Sequence, residues 1–183
     1  MKSLLLIILG GVLANNYALT QFLGVTPFLG YSKKGEKALA LGLCVTVVMV
    51  LSAAVLWPIQ SLLVANGLMH LQVMIYLLII ACIVWLVDLL AAKLLHQPLM
   101  TYFPIVVVNS AVLGLVLNNV AAGYSYLEAL ASALGVGLGF LLAMLVMSGL
   151  REKINEKYVP APFRGLPILL IAASIVSIAL MAF

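Results

Sequence analysis

Long apolar runs constrain this chain more than any other feature. A helix needs about 20 apolar residues to cross the hydrocarbon core of a bilayer, and the sequence holds six runs of about that length. They lie at residues 3–24, 38–57, 71–92, 100–118, 126–149 and 163–183. Because backbone polar groups must be satisfied internally in lipid, each run is predicted to be helical. The sequence therefore predicts an all-α integral membrane protein with six transmembrane helices, in a single membrane domain over residues 1–183.

Composition excludes the main classes of soluble protein. Residues of the AVILMFWYC set make up 66% of the chain and charged residues only 8%, whereas a typical globular domain is about half apolar and about a quarter charged. So few charges cannot cover a water-facing surface, which rules out a soluble enzyme, a disordered chain and a nucleic-acid binder. Cys44 and Cys82 lie far apart inside apolar runs, so the sequence indicates neither a disulfide framework nor a zinc site.

The first run lies where a signal peptide would lie, but it lacks the other features of a signal peptide. A single Lys2 precedes it, Asn15 and Asn16 interrupt it, and it offers no convincing small-residue cleavage site. We expect it to be a retained helix.

The basic residues fall on one side of the predicted bundle. Eight of the nine Lys and Arg residues lie in the loops after runs one, three and five: Lys33, Lys34, Lys37, Lys93, Arg151, Lys153, Lys157 and Arg164. The loops at 58–70 and 119–126 carry none. By the positive-inside rule we expect the basic side to be cytoplasmic, with both termini outside. The net charge of +4 is thus explained by topology and requires no nucleic-acid partner.

The two halves of the chain resemble each other. Residues 15–19 (NNYAL) correspond to 109–113 (NSAVL), and 36–42 (EKALALG) correspond to 128–135 (EALASALG). Each half holds three runs, so the second half enters the membrane from the opposite side. We therefore predict two inverted three-helix repeats, about 1–95 and 96–183, related by a pseudo-two-fold axis in the membrane plane.

Asparagine side chains lie at membrane depth in both halves. Counted from Leu4 at 1.5 Å per residue, Asn15 is about 16 Å into the first run, and Asn109 is about 12 Å into the fourth. An unbonded amide in hydrocarbon costs several kcal/mol. We therefore predict that Asn15, Asn16 and Asn109 form a polar centre or ion path where the repeats meet. The alternative is that these amides bond across helices and only hold the bundle together.

Helix continuity is weak near both amide clusters. Pro27 lacks an N–H donor and disfavours helix at Thr26, while Pro104 and Gly114 bracket the matching region of run four. We predict broken or short helices one and four, whose freed backbone groups face a cavity, as in membrane ion and cofactor sites. An ordinary helix end at residues 24–30 is the alternative.

Two further features of the apolar runs have a structural and a functional interpretation. Gly135, Gly137 and Gly139 alternate with no strand before them, which favours close helix packing over a dinucleotide loop. Asp88 is the only acid well inside a run, so it is a candidate proton or sodium relay; alternatively it reaches the interface near Lys93. No nucleophile–base pair or phosphate loop is visible, and no catalytic residue is predicted.

Three segments resemble the membrane subunits of Rnf-type electron transport complexes. They are residues 22–28 (FLGVTPF) followed by 32–34 (SKK), residues 109–114 (NSAVLG), and residues 159–165 (VPAPFRG) preceded by Arg151 and Glu152. The similarity runs nearly end to end, and the third segment favours the A-type subunit of such complexes over the related types.

The resemblance implies a function and a set of partners. Such complexes pass electrons between ferredoxin and NAD, and couple the transfer to sodium or proton movement across the cytoplasmic (inner) membrane of bacteria or archaea. The A-type subunit pairs with an oppositely oriented homologue of the E type, and each gives two cysteines to one shared [2Fe–2S] cluster. The resemblance thus implies a translocase component in the lipid bilayer, with an E-type homologue and other Rnf-like subunits as partners.

The chain departs from the family pattern at the cluster positions. The family's two cysteines fall at Thr26 and Ser110, which carry hydroxyls here. Thiolate is the usual ligand of iron in such clusters, and a hydroxyl is a poorer ligand for this soft site. Cys44 and Cys82 are at neither motif position. We therefore expect an altered subunit pair in which Thr26 and Ser110 mark the cofactor position without supplying cluster ligands.

Two other functions are compatible with the residues. A stand-alone small-molecule or ion permease would use the same inverted-repeat scaffold without redox chemistry, and the missing thiols favour it. The substrate-binding subunit of an energy-coupling vitamin transporter is similarly small and helical, and the Ala14 and Ala18 spacing would suit coupling.

Overall fold

In the computed structural model, every regular element of the described residues, 2–31, 35–95 and 103–180, is a helix. The α-helices are α1 (Lys2–Val12), α2 (Val25–Tyr31), α3 (Gly35–Ala65), α4 (Gln72–Leu95), α5 (Phe103–Val107), α6 (Ser110–Ala121), α7 (Tyr126–Lys153) and α8 (Leu166–Leu180). Short 3₁₀ helices lie at Met69–Leu71, Glu156–Tyr158 and Ala161–Phe163. Within this part of the chain, Gly35–Ala65, Met69–Lys93, Pro104–Ala121 and Tyr126–Lys153 are long and apolar enough to cross a membrane. The all-α membrane fold is confirmed.

Helix α3 is longer than the sequence predicts. The predicted run ends at residue 57, whereas the helix continues through Pro58 to Ala65. Proline removes one backbone donor from the helix, but membrane helices tolerate this where other groups compensate. The group that loses its donor is the Ala54 carbonyl, so the bond from the Ser61 hydroxyl to the Pro58 carbonyl at 2.7 Å does not replace the lost one. Leu63 buries its side chain further along the helix. Packing of the residues beyond the proline therefore keeps the helix continuous.

Helix α7 packs closely and antiparallel against α3. A Cβ added to Gly137 would lie 2.6 Å from Cγ2 of Thr46, and one added to Gly42 would lie 2.5 Å from Cδ1 of Leu141. The residue numbers on the two helices therefore run in opposite directions along the contact. The hydroxyl of Thr46 also donates to the Gly137 carbonyl at 3.0 Å, so a polar contact reinforces this apolar interface.

The opposite side of α7 packs against α1, in parallel. A Cβ on Gly135 would lie 2.6 Å from the carbonyl oxygen of Ile8, and one on Gly139 would lie 2.6 Å from that of Gly11. No side chain fits at these positions, because the neighbouring atoms belong to the backbone. The prediction that the alternating glycines permit close helix contact is confirmed.

Two basic residues of the long helices, Lys37 and Arg151, lie at one end of the bundle, whereas Lys2 begins α1 at the opposite end. Gly35 at the start of α3 lies beside Ser148 near the end of α7, which brings Lys37 and Arg151 to the same end. At the opposite end, Nε1 of Trp57 donates to the Tyr124 carbonyl at 2.9 Å. Lys33 and Lys34 lie outside the described residues.

Large apolar side chains cover much of the outer surface. Leu6 is 67% exposed, Met74 66% and Ile178 69%, on α1, α4 and α8 respectively. A soluble protein rarely exposes so many contiguous apolar groups, so these faces suit contact with lipid or with other membrane helices.

Candidate functional site

Two of the predicted spans are broken in the structure. The first is α1 and α2, separated by the irregular residues 13–24, and the second is α5 and α6, separated only by residues 108–109. The prediction of broken or short helices one and four is confirmed. The alternative of an ordinary helix end at residues 24–30 is wrong, because α2 runs through that segment with Pro27 in its first turn. A proline there costs no helical hydrogen bond, since the first turn has unpaired N–H groups in any case.

Asn16 closes the first break with four hydrogen bonds. Its Oδ1 accepts from the N–H groups of Ala18 at 3.1 Å and Leu19 at 3.3 Å. Its Nδ2 donates to the carbonyls of Gly139 at 2.8 Å and Val12 at 3.2 Å. The side chain is fully buried, and both of its polar atoms are paired. Asn16 therefore joins the end of α1 to α7 in the way expected of an interhelical amide.

Gly24 brings the first break against the second. Phe22 and Gly24 have φ angles of +53° and +73°, a left-handed conformation that glycine adopts at little cost. A Cβ on Gly24 would lie 2.7 Å from Oδ1 of Asn109 and 2.8 Å from Cε2 of Phe140. The Gly24 N–H donates to Oγ of Ser110 at 2.9 Å. Conformation and close approach both require glycine here. We call the meeting point of Gly24 with residues 109–110, together with Thr26 two residues further along the chain, the junction.

Asn109 caps α6 but is only half paired. Its Oδ1 accepts from the Ala111 N–H at 3.0 Å, which is a standard N-cap interaction. Its Nδ2 has no hydrogen-bond partner among the described residues, although the residue is only 3% exposed. A buried donor without a partner is uncommon and costly. The junction therefore contains one N–H donor group, Nδ2 of Asn109, that is free to bind an acceptor.

Of the remaining predicted site residues, Thr26 and Ser110 belong to the junction, whereas Asn15 and Asp88 do not. Thr26 lies in the first turn of α2 and Ser110 begins α6, and both are exposed in the isolated chain. Asn15 is also exposed but lines a separate cavity. No hydrogen bond within the described residues links Asn15 or Asn16 to Asn109. Asp88 lies on α4, half-buried, with an unpaired Oδ1 and no described bond to the junction.

A second asparagine pair was not among the predicted site residues. Nδ2 of Asn118 donates to the hydroxyl of Tyr17 at 2.9 Å, and Nδ2 of Asn119 donates to the Ala129 carbonyl at 3.3 Å. The sequence predicts a loop at residues 119–126, whereas Asn119 lies inside α6. The usable signal was the adjacent pair of amides at the end of an apolar run, as in Asn15 and Asn16.

The residues at the junction do not fit a [2Fe–2S] cluster. Thr26 and Ser110 offer hydroxyls instead of thiolates, and Oγ of Ser110 already accepts the Gly24 N–H. Cys44 lies on α3 and Cys82 is exposed on α4, so neither is part of the junction. The described residues also contain no group of three or more His, Cys, Asp or Glu side chains that could hold a metal.

Comparison with known proteins gives full-length matches. The family model described as "Rnf-Nqr subunit, membrane protein" matches residues 4–183. The A-type subunit of the ion-translocating oxidoreductase complex of Syntrophotalea carbinolica is 44% identical, over 100% of this chain and 97% of that protein. The A-type subunit of the Na(+)-translocating ferredoxin:NAD(+) oxidoreductase complex of Acetobacterium woodii is 37% identical, over 99% and 96% respectively. The A-type protein from Edwardsiella ictaluri is 38% identical, over 100% and 97%.

Proposed function

This chain belongs to the Rnf-Nqr family of membrane subunits, and we propose that it is the A-type component of an Rnf-like complex coupling electron transfer between ferredoxin and NAD to sodium or proton translocation. Its similarity to the A-type subunits of ion-translocating oxidoreductase complexes covers the whole chain. The proposed donor and acceptor follow the name of the Acetobacterium relative. The chain has no complete catalytic site of its own in this proposal and acts within the assembled complex.

The proposed partner is an oppositely oriented, E-type homologue within the cytoplasmic (inner) membrane. Two features support an inverted repeat: a broken helix followed by a long helix occurs in each half, and α3 is antiparallel to α7. In this topology the basic end of the bundle is cytoplasmic and both termini are outside. Thr26 and Ser110 are exposed in the isolated chain, so a partner could complete the site at the junction.

The unpaired Nδ2 of Asn109 is the observation that carries the proposed role of the junction. A buried, unpaired polar atom at a helix break favours a polar centre over a purely structural contact. The amide of a structural contact would be paired, as that of Asn16 is. Asp88 is a second proposed member of the ion path, since its Oδ1 is also buried without a described partner. Intramembrane acids of this kind often serve ion or proton relays.

We also propose that no [2Fe–2S] cluster bridges this subunit pair. The junction hydroxyls are poor ligands for iron, and one of them is already hydrogen-bonded. The iron content of the intact complex should therefore equal that of its other cluster-bearing subunits, without the iron of a further [2Fe–2S] centre in this pair. Visible absorption and EPR of the purified complex, together with its iron content, test this proposal. A [2Fe–2S] signal retained in an isolated pair of this chain and its homologue would contradict it.

Purification of the complex through an affinity tag on this chain tests the function itself. We expect flavin-carrying and iron–sulfur subunits to co-purify, and we expect membrane vesicles to take up sodium or protons when reduced ferredoxin is oxidised by NAD. Vesicles from cells lacking this chain are the control. Recovery of the chain without redox subunits would contradict the proposal.

A permease on the same scaffold is the second candidate, because hydroxyls replace both cluster cysteines. It predicts solute or ion uptake by vesicles containing this chain alone, without ferredoxin and NAD. The same vesicles therefore distinguish the two functions.

A further inference from the structure

A polar cavity of about 400 Å³ lies between α1, α6, α7 and the irregular segment 13–24. We call it the amide cavity. Its polar lining includes Asn15, Gln21, Asn118, Asn119, Tyr124 and Ser132. None of the described lining residues carries a formal charge at neutral pH. Since one water takes up about 30 Å³ in the liquid, the cavity has room for several waters.

The amide cavity lies beside a helix whose outer face is apolar. Gly10, which lines it, is about 12 Å along the helix axis from Lys2 at 1.5 Å per residue. Leu5 and Leu9 on the same helix are 60% and 48% exposed, as suits lipid contact. The Asn15 N–H donates to the Gly10 carbonyl at 2.7 Å, so the Asn15 carboxamide lies at about this depth. A carboxamide there is not left facing hydrocarbon, so the cavity requires a polar occupant.

Asn119, which lines the cavity, has one side-chain atom that lacks a hydrogen-bond partner. Its Nδ2 is bonded to the Ala129 carbonyl, whereas its Oδ1 has no partner among the described residues and the side chain is only 6% exposed. Asn119 and Tyr124 also line a second cavity of about 230 Å³, which extends toward Trp57 and Gln60 on α3. The residue that carries this unpaired acceptor thus lies in the wall shared by two cavities.

The chemistry of the lining selects one class of occupant. Amide and hydroxyl oxygens are hard ligands that suit alkali cations, whereas divalent cations favour sites with carboxylates. A bound anion would need basic groups, and a proton relay would need a side chain that titrates near neutral pH; the described lining offers neither. We infer that the amide cavity binds a partly hydrated monovalent cation, with Oδ1 of Asn119 as a ligand and the second cavity as the next position on its path. This inference rests on the proposed ion-translocating function and gives the ion a site apart from the junction.

Thiol labelling of the intact complex in native membranes tests the site. The probe is a small charged methanethiosulfonate reagent, applied to Asn15→Cys in a background in which Cys44 and Cys82 are alanine. We expect the thiol to be labelled in choline chloride, and sodium, lithium or potassium chloride of equal ionic strength to slow labelling by about tenfold. Leu5→Cys, on the apolar face of the same helix, is the matched control and should stay unlabelled in every salt. An unreactive Asn15→Cys, or equal rates in choline and all three alkali salts, would overturn the inference.

Filling the cavity provides an independent variant. A Cβ on Gly10 meets no atom within 4 Å, so the side chain added by Gly10→Leu occupies part of the cavity without a backbone clash. It should raise the cation concentration needed for half-protection at least about tenfold. Gly149→Leu, where a Cβ also meets no atom within 4 Å, should leave protection unchanged. Asn119→Leu should match Gly10→Leu; if it does not assemble, Gly10→Leu still decides, and unchanged protection there would overturn the inference.

Failure of this inference can be separated from failure of the proposed function. Ion uptake driven by ferredoxin oxidation is measured on the same membranes with the natural chain. If uptake is absent, the proposed function fails. If uptake is present but no cation protects Asn15→Cys, the function stands and the amide cavity is not the ion site.

Discussion

The two helix breaks begin with the same interaction and differ in what surrounds it. In each, an asparagine Oδ1 accepts the N–H two residues later, at Ala18 in the first and at Ala111 in the second. The Nδ2 of Asn16 then has two carbonyl acceptors, whereas that of Asn109 has none among the described residues. Asn16 therefore has a closed structural role in the first break, while Asn109 keeps a buried donor available for a function in the second.

The closure of the first break depends most on the glycine contact between α1 and α7. Gly139→Val would place a side chain against the Gly11 carbonyl, 2.6 Å from the added Cβ. Since backbone cannot yield easily, we expect a loss of about 3 kcal/mol or more in stability. Recovery of the protein in the complex after heating, followed by size-exclusion chromatography, measures this. Gly149→Val is the control, and equal recovery of both variants would show that the α1 contact is dispensable.

Asn16→Ala tests the hydrogen bonds of the same break. It leaves the Ala18 and Leu19 N–H groups without an acceptor and removes the bond from Asn16 to the Gly139 carbonyl, so we expect about 2–4 kcal/mol of destabilisation. Asn15→Ala changes the neighbouring exposed amide and should alter stability by no more than about 0.5 kcal/mol. The thermal midpoint of the detergent-purified complex reports both. Similar midpoints for the two variants would contradict the assignment of Asn16 as the closing residue.

Asn109→Ala should destabilise the complex less than Asn16→Ala does. It removes one N-cap bond, worth about 1 kcal/mol, and at the same time removes an unpaired buried donor. The same thermal measurement compares the two. If Asn109→Ala is as damaging as Asn16→Ala, then Nδ2 of Asn109 has a partner in the assembled protein that serves structure, and the contrast between the breaks disappears.

Of the three variants that remove a hydrogen bond at the breaks, Ser110→Ala should have the smallest effect on stability. It removes one acceptor, so the Gly24 N–H loses its bond at a cost of about 0.5–1.5 kcal/mol. Hydrogen–deuterium exchange of a peptide covering residues 22–26 should become faster, while exchange in α7 is unchanged. Unchanged exchange at Gly24 would mean that the contact between the breaks does not protect this amide.

Most of the fold follows from the length of apolar runs. The runs at 71–92 and 126–149 predict α4 and α7 to within a few residues, because little besides a membrane helix accommodates such sequences. The end of α3 is mispredicted, because Pro58 resembles a stop signal while the apolar residues after it still pack. The alternating glycines are interpreted correctly, since no strand precedes them.

The site is predictable only in part. The sequence indicates that Asn109 and Ser110 accompany a helix break, and the structure adds that Gly24 brings this break against the first one. The extent of the first break is hidden because residues 13–24 are mostly apolar and resemble continuous helix. The pairing states of Asn16, Asn109 and Asn119 depend on where distant carbonyls lie, which local sequence does not specify.

Sodium or proton uptake per electron transferred, measured in membrane vesicles carrying Asn109→Leu, tests whether the second break takes part in ion coupling. We predict that ferredoxin oxidation by NAD continues while ion uptake per electron falls sharply, because the second break loses both the unpaired Nδ2 donor and the cap of α6. Uptake per electron equal to that of the natural complex, in a variant that assembles fully, would contradict a role for the second break in ion coupling.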